Sequence, residues 1–184
     1  MTFIDNCSKQ MWAFALKSKD QVLDMFKFFH TYVKRGKWGK LKSVKVDNDG
    51  EYKGPIERYC RFRVIRLEKT VPKILQQNGV VERKNRTIEE RVKCMLSYTK
   101  VLKSFRVKAL RTTSNLINLS PLAPLNGDVP EKFWTEKDIS YKHSQVFGCR
   151  TYVHIHKDER SKLDDKVKER IFLGYGPKEF WYRL

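Results

Sequence analysis

Acidic residues are scarce in this sequence: 21 Asp and Glu stand against 39 Lys and Arg, a formal net charge of +18. A chain this basic suits a polyanionic partner, because each cation that neutralises a phosphate releases a condensed counterion. A membrane surface is the rival polyanion. No apolar run approaches the ~20 residues that a bilayer-spanning helix needs, which argues against a transmembrane role. The opening Met1-Thr2-Phe3-Ile4-Asp5-Asn6 lacks a basic stretch followed by an apolar one, so it does not read as a secretory signal. Cysteine is sparse too. Cys7, Cys60, Cys94 and Cys149 are far apart and form no C-x-x-C pair, which excludes zinc-finger spacing. Without a secretory signal they read as reduced intracellular thiols. Of the few histidines, His154 and His156 lie two apart in an expected strand and would face one side. They could hold a metal, but they read as a solvent-facing pair.

What is present describes a folded protein. Hydrophobic residues make up 40%, with 11 Phe, 8 Tyr and 4 Trp. That is too apolar for a disordered chain. The 184 residues allow one domain with a real core and part of a second.

The pattern along the chain is α/β. Thr2 to Cys7 and Met11 to Leu16 read as two strands around a polar turn. Ser18 and Gln21 match a capping box, and Val22, Met25, Phe26, Phe29 and Val33 then recur at helical spacing. Lys34, Arg35, Lys37, Lys40 and Lys42 form a basic cluster around Trp38. Lys42 to Val46 reads as a short strand ended by Asp47-Asn48-Asp49-Gly50. A helix near Ile56 to Phe62, a strand at Arg63 to Leu67 and a loop from Thr70 to Gly79 follow. Two helices come next, the first with Ile88, Val92, Met95 and Leu96 on one face. The second carries Leu102, Phe105, Ala109, Leu116 and Ile117. Ser120 to Pro130 resembles a linker, and Phe133-Trp134 should pack a short helix onto the body. Strands are expected at Val146 to Ile155, Arg170 to Tyr175 and Phe180 to Leu184, with a charged loop from Lys157 to Lys168. Residues after Tyr141 should therefore form an antiparallel β unit.

Three blocks are specific: Thr2-Phe3-Ile4-Asp5-Asn6-Cys7-Ser8-Lys9 with Trp12, then Asp47-Asn48-Asp49-Gly50-Glu51-Tyr52, then Gln76-Gln77-Asn78-Gly79 through Glu82-Arg83-Lys84-Asn85-Arg86-Thr87. They resemble the catalytic core of copia-type retrotransposon integrases. The tail extends the resemblance through Val146-Phe147-Gly148-Cys149, Arg160-Ser161-Lys162-Leu163-Asp164 and Phe172-Leu173-Gly174-Tyr175. Nearly the whole chain is covered. The resemblance implies a ribonuclease-H-like α/β integrase core over 1–119 that lacks its first strand. A linker and short helix would occupy 120–141, and an incomplete, small antiparallel SH3-like segment 142–184. It implies DNA as partner, nuclear localisation and a homo-oligomer in the parent integrase.

The chemistry of such enzymes explains the blocks. A phosphodiester is attacked in line with two divalent cations about 3.5–4 Å apart. Mg²⁺ and Mn²⁺ prefer oxygen ligands, so the site is made of carboxylates. The family order is Asp, Asp, Glu. Asp47 matches the second, and Glu82, 35 positions on, matches the third. Read alone, Asp47 could be a turn residue and Glu82 could serve its helix dipole. Arg86, one turn after Glu82, would reach a DNA phosphate, with Arg83, Lys84, Lys37 and Lys40 adding charge. The bland alternative is an exposed Glu82–Arg86 pair worth ~0.3–0.5 kcal/mol.

Several positions depart from the family pattern. Its first Asp belongs on a strand before Thr2, and Asp5 matches a different position. Asp49 stands for the usual Gly, Leu75 for Pro and Arg106 for an aromatic. The functions left open are an integrase fragment in DNA integration without activity as given, a non-catalytic basic nucleic-acid-binding protein, or a non-functional transposon remnant.

Overall fold

The computed structural model describes residues 1–36, 40–46, 54–69, 79–176 and 182–184. Lys37, Trp38, Asp47, Asp49, Leu75 and the run Gln76 to Asn78 lie outside the described residues. The chain forms two compact units. One comprises Met1–Ile4 with Trp12–Arg86, the other Asp5–Met11 with Thr87–Leu184.

In the first unit, β1 (Thr2–Ile4) and β2 (Met11–Ala13) pair as a hairpin, closed at its open end by reciprocal bonds between Met1 and Phe14. Helix α1 (Val22–Arg35) follows a short 3-10 turn at Lys19–Gln21. The expected capping box is not formed. Ser18 caps nothing with its side chain, while Gln21 Oε1 accepts the Lys17 N–H at 2.9 Å.

Val22, Phe26, Phe29 and Val33 are the buried stripe of α1, spaced at three- and four-residue steps that put them on one helix face. Phe3 of β1 stacks on Phe29 with ring centroids 3.9 Å apart and planes 2° from parallel. The unit then runs through β3 (Ser43–Val46), α2 (Pro55–Phe62) and β4 (Arg66–Lys69). β3 and β4 are parallel, Ser43 opposite Arg66 and Val46 opposite Lys69. Parallel neighbours need a crossover, and α2 is in it. Ile56 and Cys60 of α2 join Val22, Phe26 and Ile65 in one buried cluster, against which Phe3, Val44 and Leu67 pack. Burial pushes the Cys60 thiol up from its ordinary value, in keeping with an inert core residue. Strand β4 starts three residues later than the expected Arg63, because Arg63 and Val64 turn out of α2, Val64 with φ of 56°.

Helix α3 (Gly79–Thr99) opens in the first unit and continues into the second. The second unit adds α4 (Arg106–Asn118) and α5 (Pro130–Thr135), the short helix expected around Phe133-Trp134. Asn118 at the end of α4 reads both backbone groups of Met11. Its Oδ1 accepts the N–H at 2.9 Å and its Nδ2 donates to the carbonyl at 2.8 Å. Arg106, an apparent misfit on an apolar helix, is exposed.

The tail is built of antiparallel strands. β5 (Arg150–His154) pairs β6 (Val167–Ile171), and β7 (Gly174–Tyr175) pairs β8 (Tyr182–Arg183). β5 starts later than the expected Val146 because Gly148, at φ +81°, turns the chain there. Phe147 and Phe172 are buried beside the turn, and Gly148 donates its N–H to the Phe172 carbonyl at 2.8 Å. A Cβ at Gly148 would lie 2.1 Å from Thr99 Cγ2 and 2.5 Å from its Cβ. Gly148→Ala therefore combines left-handed strain with overpacking against a β-branched neighbour. It should cost about 2–4 kcal/mol of stability. Urea unfolding of the variant checks this, and an unchanged midpoint would contradict the packing described.

Candidate metal and nucleic-acid site

Strand β3 ends at Val46, whose side chain is buried, and Asp47 is the next residue in the chain. Asp47 itself lies outside the described residues, so its position relative to Glu82 is not described. Glu82 sits in the first turn of α3 and is exposed. A carboxylate there is favoured by the unpaired N–H groups and positive end of the helix dipole.

Arg83 is exposed, Lys84 is partly buried, and both engage other groups of the chain. Arg86 is exposed and one turn beyond Glu82, which puts the two on one face. No ion pair joins Glu82 to Arg86 among the described residues. The carboxylate and the guanidinium are thus both available to an outside ligand. Lys40, two residues before Lys42 and β3, is also exposed, as are Lys34 and Arg35 at the end of α1. The structure brings Glu82, Arg83, Lys84 and Arg86 together on the first two turns of α3; Lys37 lies outside the described residues.

Among the described residues, no group of three or more His, Cys, Asp or Glu gathers in a way that could hold a metal. Asp5 is occupied as a turn former. Its Oδ2 accepts the Ser8 N–H at 2.7 Å, the Ser8 hydroxyl at 2.8 Å and the Cys7 N–H at 3.1 Å. The expected His154–His156 pair is divided: His154 closes β5, whereas His156 lies beyond it with Nδ1 2.9 Å from Asp158. Both are exposed. No helix among the described residues is long and apolar enough to cross a membrane.

A hairpin beside an amphipathic helix, a parallel β3–α2–β4 crossover, a long helix opening on Glu82 and an antiparallel β tail define a class: an α/β integrase core of ribonuclease-H type followed by an SH3-like segment. Solved structures agree with this fold. The integrase catalytic core domain of HTLV-2, in complex with magnesium, superposes with a TM-score of 0.58 at 16% identity, covering 72% of this chain and 82% of that one. The simian T-cell lymphotropic virus intasome, in complex with PP2A regulatory subunit B56 gamma, matches with a TM-score of 0.60 at 14% identity over 93% of this chain and 60% of that one. Residues 149–184 match the family model of the retroviral polymerase SH3-like domain. Over its whole length the chain matches the retrovirus-related Pol polyproteins of transposons. It is 50% identical over 185 residues, the whole of its length, to the retrovirus-related Pol polyprotein from transposon TNT 1-94 of Nicotiana tabacum. It spans 14% of that relative's length.

Proposed function

We propose that this chain is the integrase portion of a copia-type Pol polyprotein, a duplex-DNA-binding domain whose role is DNA integration. The observation that carries the reading is the whole-chain identity of 50% to a transposon Pol polyprotein. The surface chemistry agrees with it. Glu82 offers a carboxylate without an ion-pair partner among the described residues, and Arg83, Lys84 and Arg86 follow it directly.

The donor set fits a hard divalent cation, Mg²⁺ or Mn²⁺, since carboxylate oxygens are what such ions take. Asp47 and Glu82 are the residues that would hold it. When bound, the ions supply activation of the attacking oxygen and stabilisation of the leaving one in polynucleotidyl transfer. The protein's own part is to bind and orient the duplex. Arg86 supplies a planar fork matched to a phosphate, and Arg83, Lys84, Lys37 and Lys40 supply charge along the backbone. Asp47 and Glu82 match two of the three carboxylates of the family pattern. Nuclear localisation, assembly as a homo-oligomer and a division into 1–119, 120–141 and 142–184 belong to the same reading.

The test uses fluorescence anisotropy with a duplex of mixed sequence. Neutralising Arg83 and Arg86 together to Gln should weaken binding about tenfold at near-physiological salt, with little difference between duplex sequences. A chain that does not bind duplex DNA at all would end the proposal.

A further inference from the structure

One stretch of the second unit stands apart in charge. From Arg91 to Gly127 the sequence has seven Lys and Arg and no Asp or Glu. Helix α4 lies within it and has no acidic residue in its first turn. Cations at Lys103 and Arg106, around its N-terminus, oppose the helix dipole rather than complement it. This arrangement does not serve the helix.

The tail adds a further cation to the same place. On α4, Lys108, Arg111 and Thr112 are three and four positions apart and share a face. Thr112 is fully buried against β7, where a Cβ on Gly174 would come 2.7 Å from its Oγ1. Gly174 is paired across the β7–β8 ladder with Arg183, and the Leu173 N–H donates to the Arg183 carbonyl at 2.7 Å. Gly174 has no side chain to hold the ladder away, so the strand bearing Arg183 comes down beside Lys108 and Arg111.

Lys108 and Arg183 are partly buried and Arg111 is exposed. Among the described residues none of the three takes part in an ion pair. The Lys108 ammonium is held below the ordinary lysine range, first by burial and then by Arg183 and Arg111. These three cations repel one another, and among the described residues no carboxylate is paired with them. A bound anion would relieve this.

We propose that Lys108, Arg111 and Arg183 form a phosphate-binding surface for the backbone of duplex DNA, separate from the residues that follow Glu82. The inference rests on the DNA-binding reading above. Two guanidinium groups offer forked donors matched to phosphate oxygens, and the ammonium adds a point charge. The α4 stretch continues the same basic character along the chain.

The experiment measures duplex affinity of the full chain against salt, between 50 and 200 mM. Each phosphate contact adds about 0.9 to the slope of log affinity on log salt. The Lys108→Gln/Arg111→Gln/Arg183→Gln variant should lose about two to three units of slope and, at about 0.1 M salt, on the order of a hundredfold in affinity. A matched variant neutralising Lys157, Lys162 and Lys166, which are also exposed in the second unit, should lose less than about one unit. If the triple variant does not fold by circular dichroism, Arg111→Gln alone, at an exposed position, should lose about one unit. Wild-type chain that binds with a slope the cluster variant leaves unchanged, or that the matched variant reduces as much, overturns this inference alone. Wild-type chain that does not bind DNA overturns the reading beneath it.

Discussion

Raising the salt from 50 to 200 mM is expected to weaken duplex-DNA binding by this chain roughly 10³–10⁵-fold. The expectation follows from the charge balance. The sequence has 39 Lys and Arg against 21 Asp and Glu. Even with every Asp and Glu paired, a net charge of +18 would remain. Six to ten phosphate contacts give the quoted range, because each released counterion adds to the salt dependence. The two basic regions, the start of α3 and the α4–β8 cluster, would together supply about that number. Sequence preference should be small, since phosphates position a protein without reporting base identity. Anisotropy at several salt concentrations checks this, and an affinity that stays level over the range would contradict the polyanion reading.

The second large effect is a silence. Glu82→Gln in the parent Pol polyprotein, given Mn²⁺ and a duplex ending in the element's termini, is expected to show no strand transfer. Removing a carboxylate from the proposed site takes away oxygen ligands, and Mg²⁺ demands near-ideal octahedral geometry and gives up its waters reluctantly. A misplacement of about 1 Å already costs about a hundredfold in rate. Loose ligation of reacting groups should therefore push the reaction below detection. Asp5 is not offered to such a site, because its carboxylate is committed to Cys7 and Ser8. Strand transfer retained in Glu82→Gln would show the argument wrong, and would mean that another carboxylate serves in its place.

Much of the fold is legible in the sequence because its buried faces keep regular periods. The stripe from Val22 to Val33 marks α1, and Ile88 and Val92 mark α3, all of them buried. The family is legible through blocks such as Phe147-Gly148 and Phe172-Leu173-Gly174, whereas β5 and β6 of the tail are almost wholly exposed and carry no buried period. The structure supplies a physical reason for two of these glycines: Gly148 at φ +81° abuts Thr99, and Gly174 at φ +122° abuts Thr112.

What the sequence hides is mostly non-local. Strand ends are misread wherever a turn intervenes, as at Val64 and Gly148, since propensity does not record where the backbone takes a positive φ. The capping box at Ser18 and Gln21 fits the motif but yields to a 3-10 turn. The α4–β8 cluster is invisible to periodicity. Lys108 sits beside Ala109 on a helix read for its apolar positions, and Arg183 reaches it only through a ladder pairing with Gly174. At the candidate metal site, Glu82 is legible from its block and lies at the helix start the motif implies. Asp47 is legible only as the residue after a strand.

The most direct measurement of the central claim is an anomalous-diffraction experiment on crystals of the chain soaked in Mn²⁺. The account predicts a manganese peak ligated by carboxylate oxygens of both Asp47 and Glu82, at roughly 2.0–2.2 Å, and lost in Glu82→Gln. Carboxylates more than about 10 Å apart, too far for cations spaced about 3.5–4 Å to bridge, or a peak that ignores both residues, would contradict it.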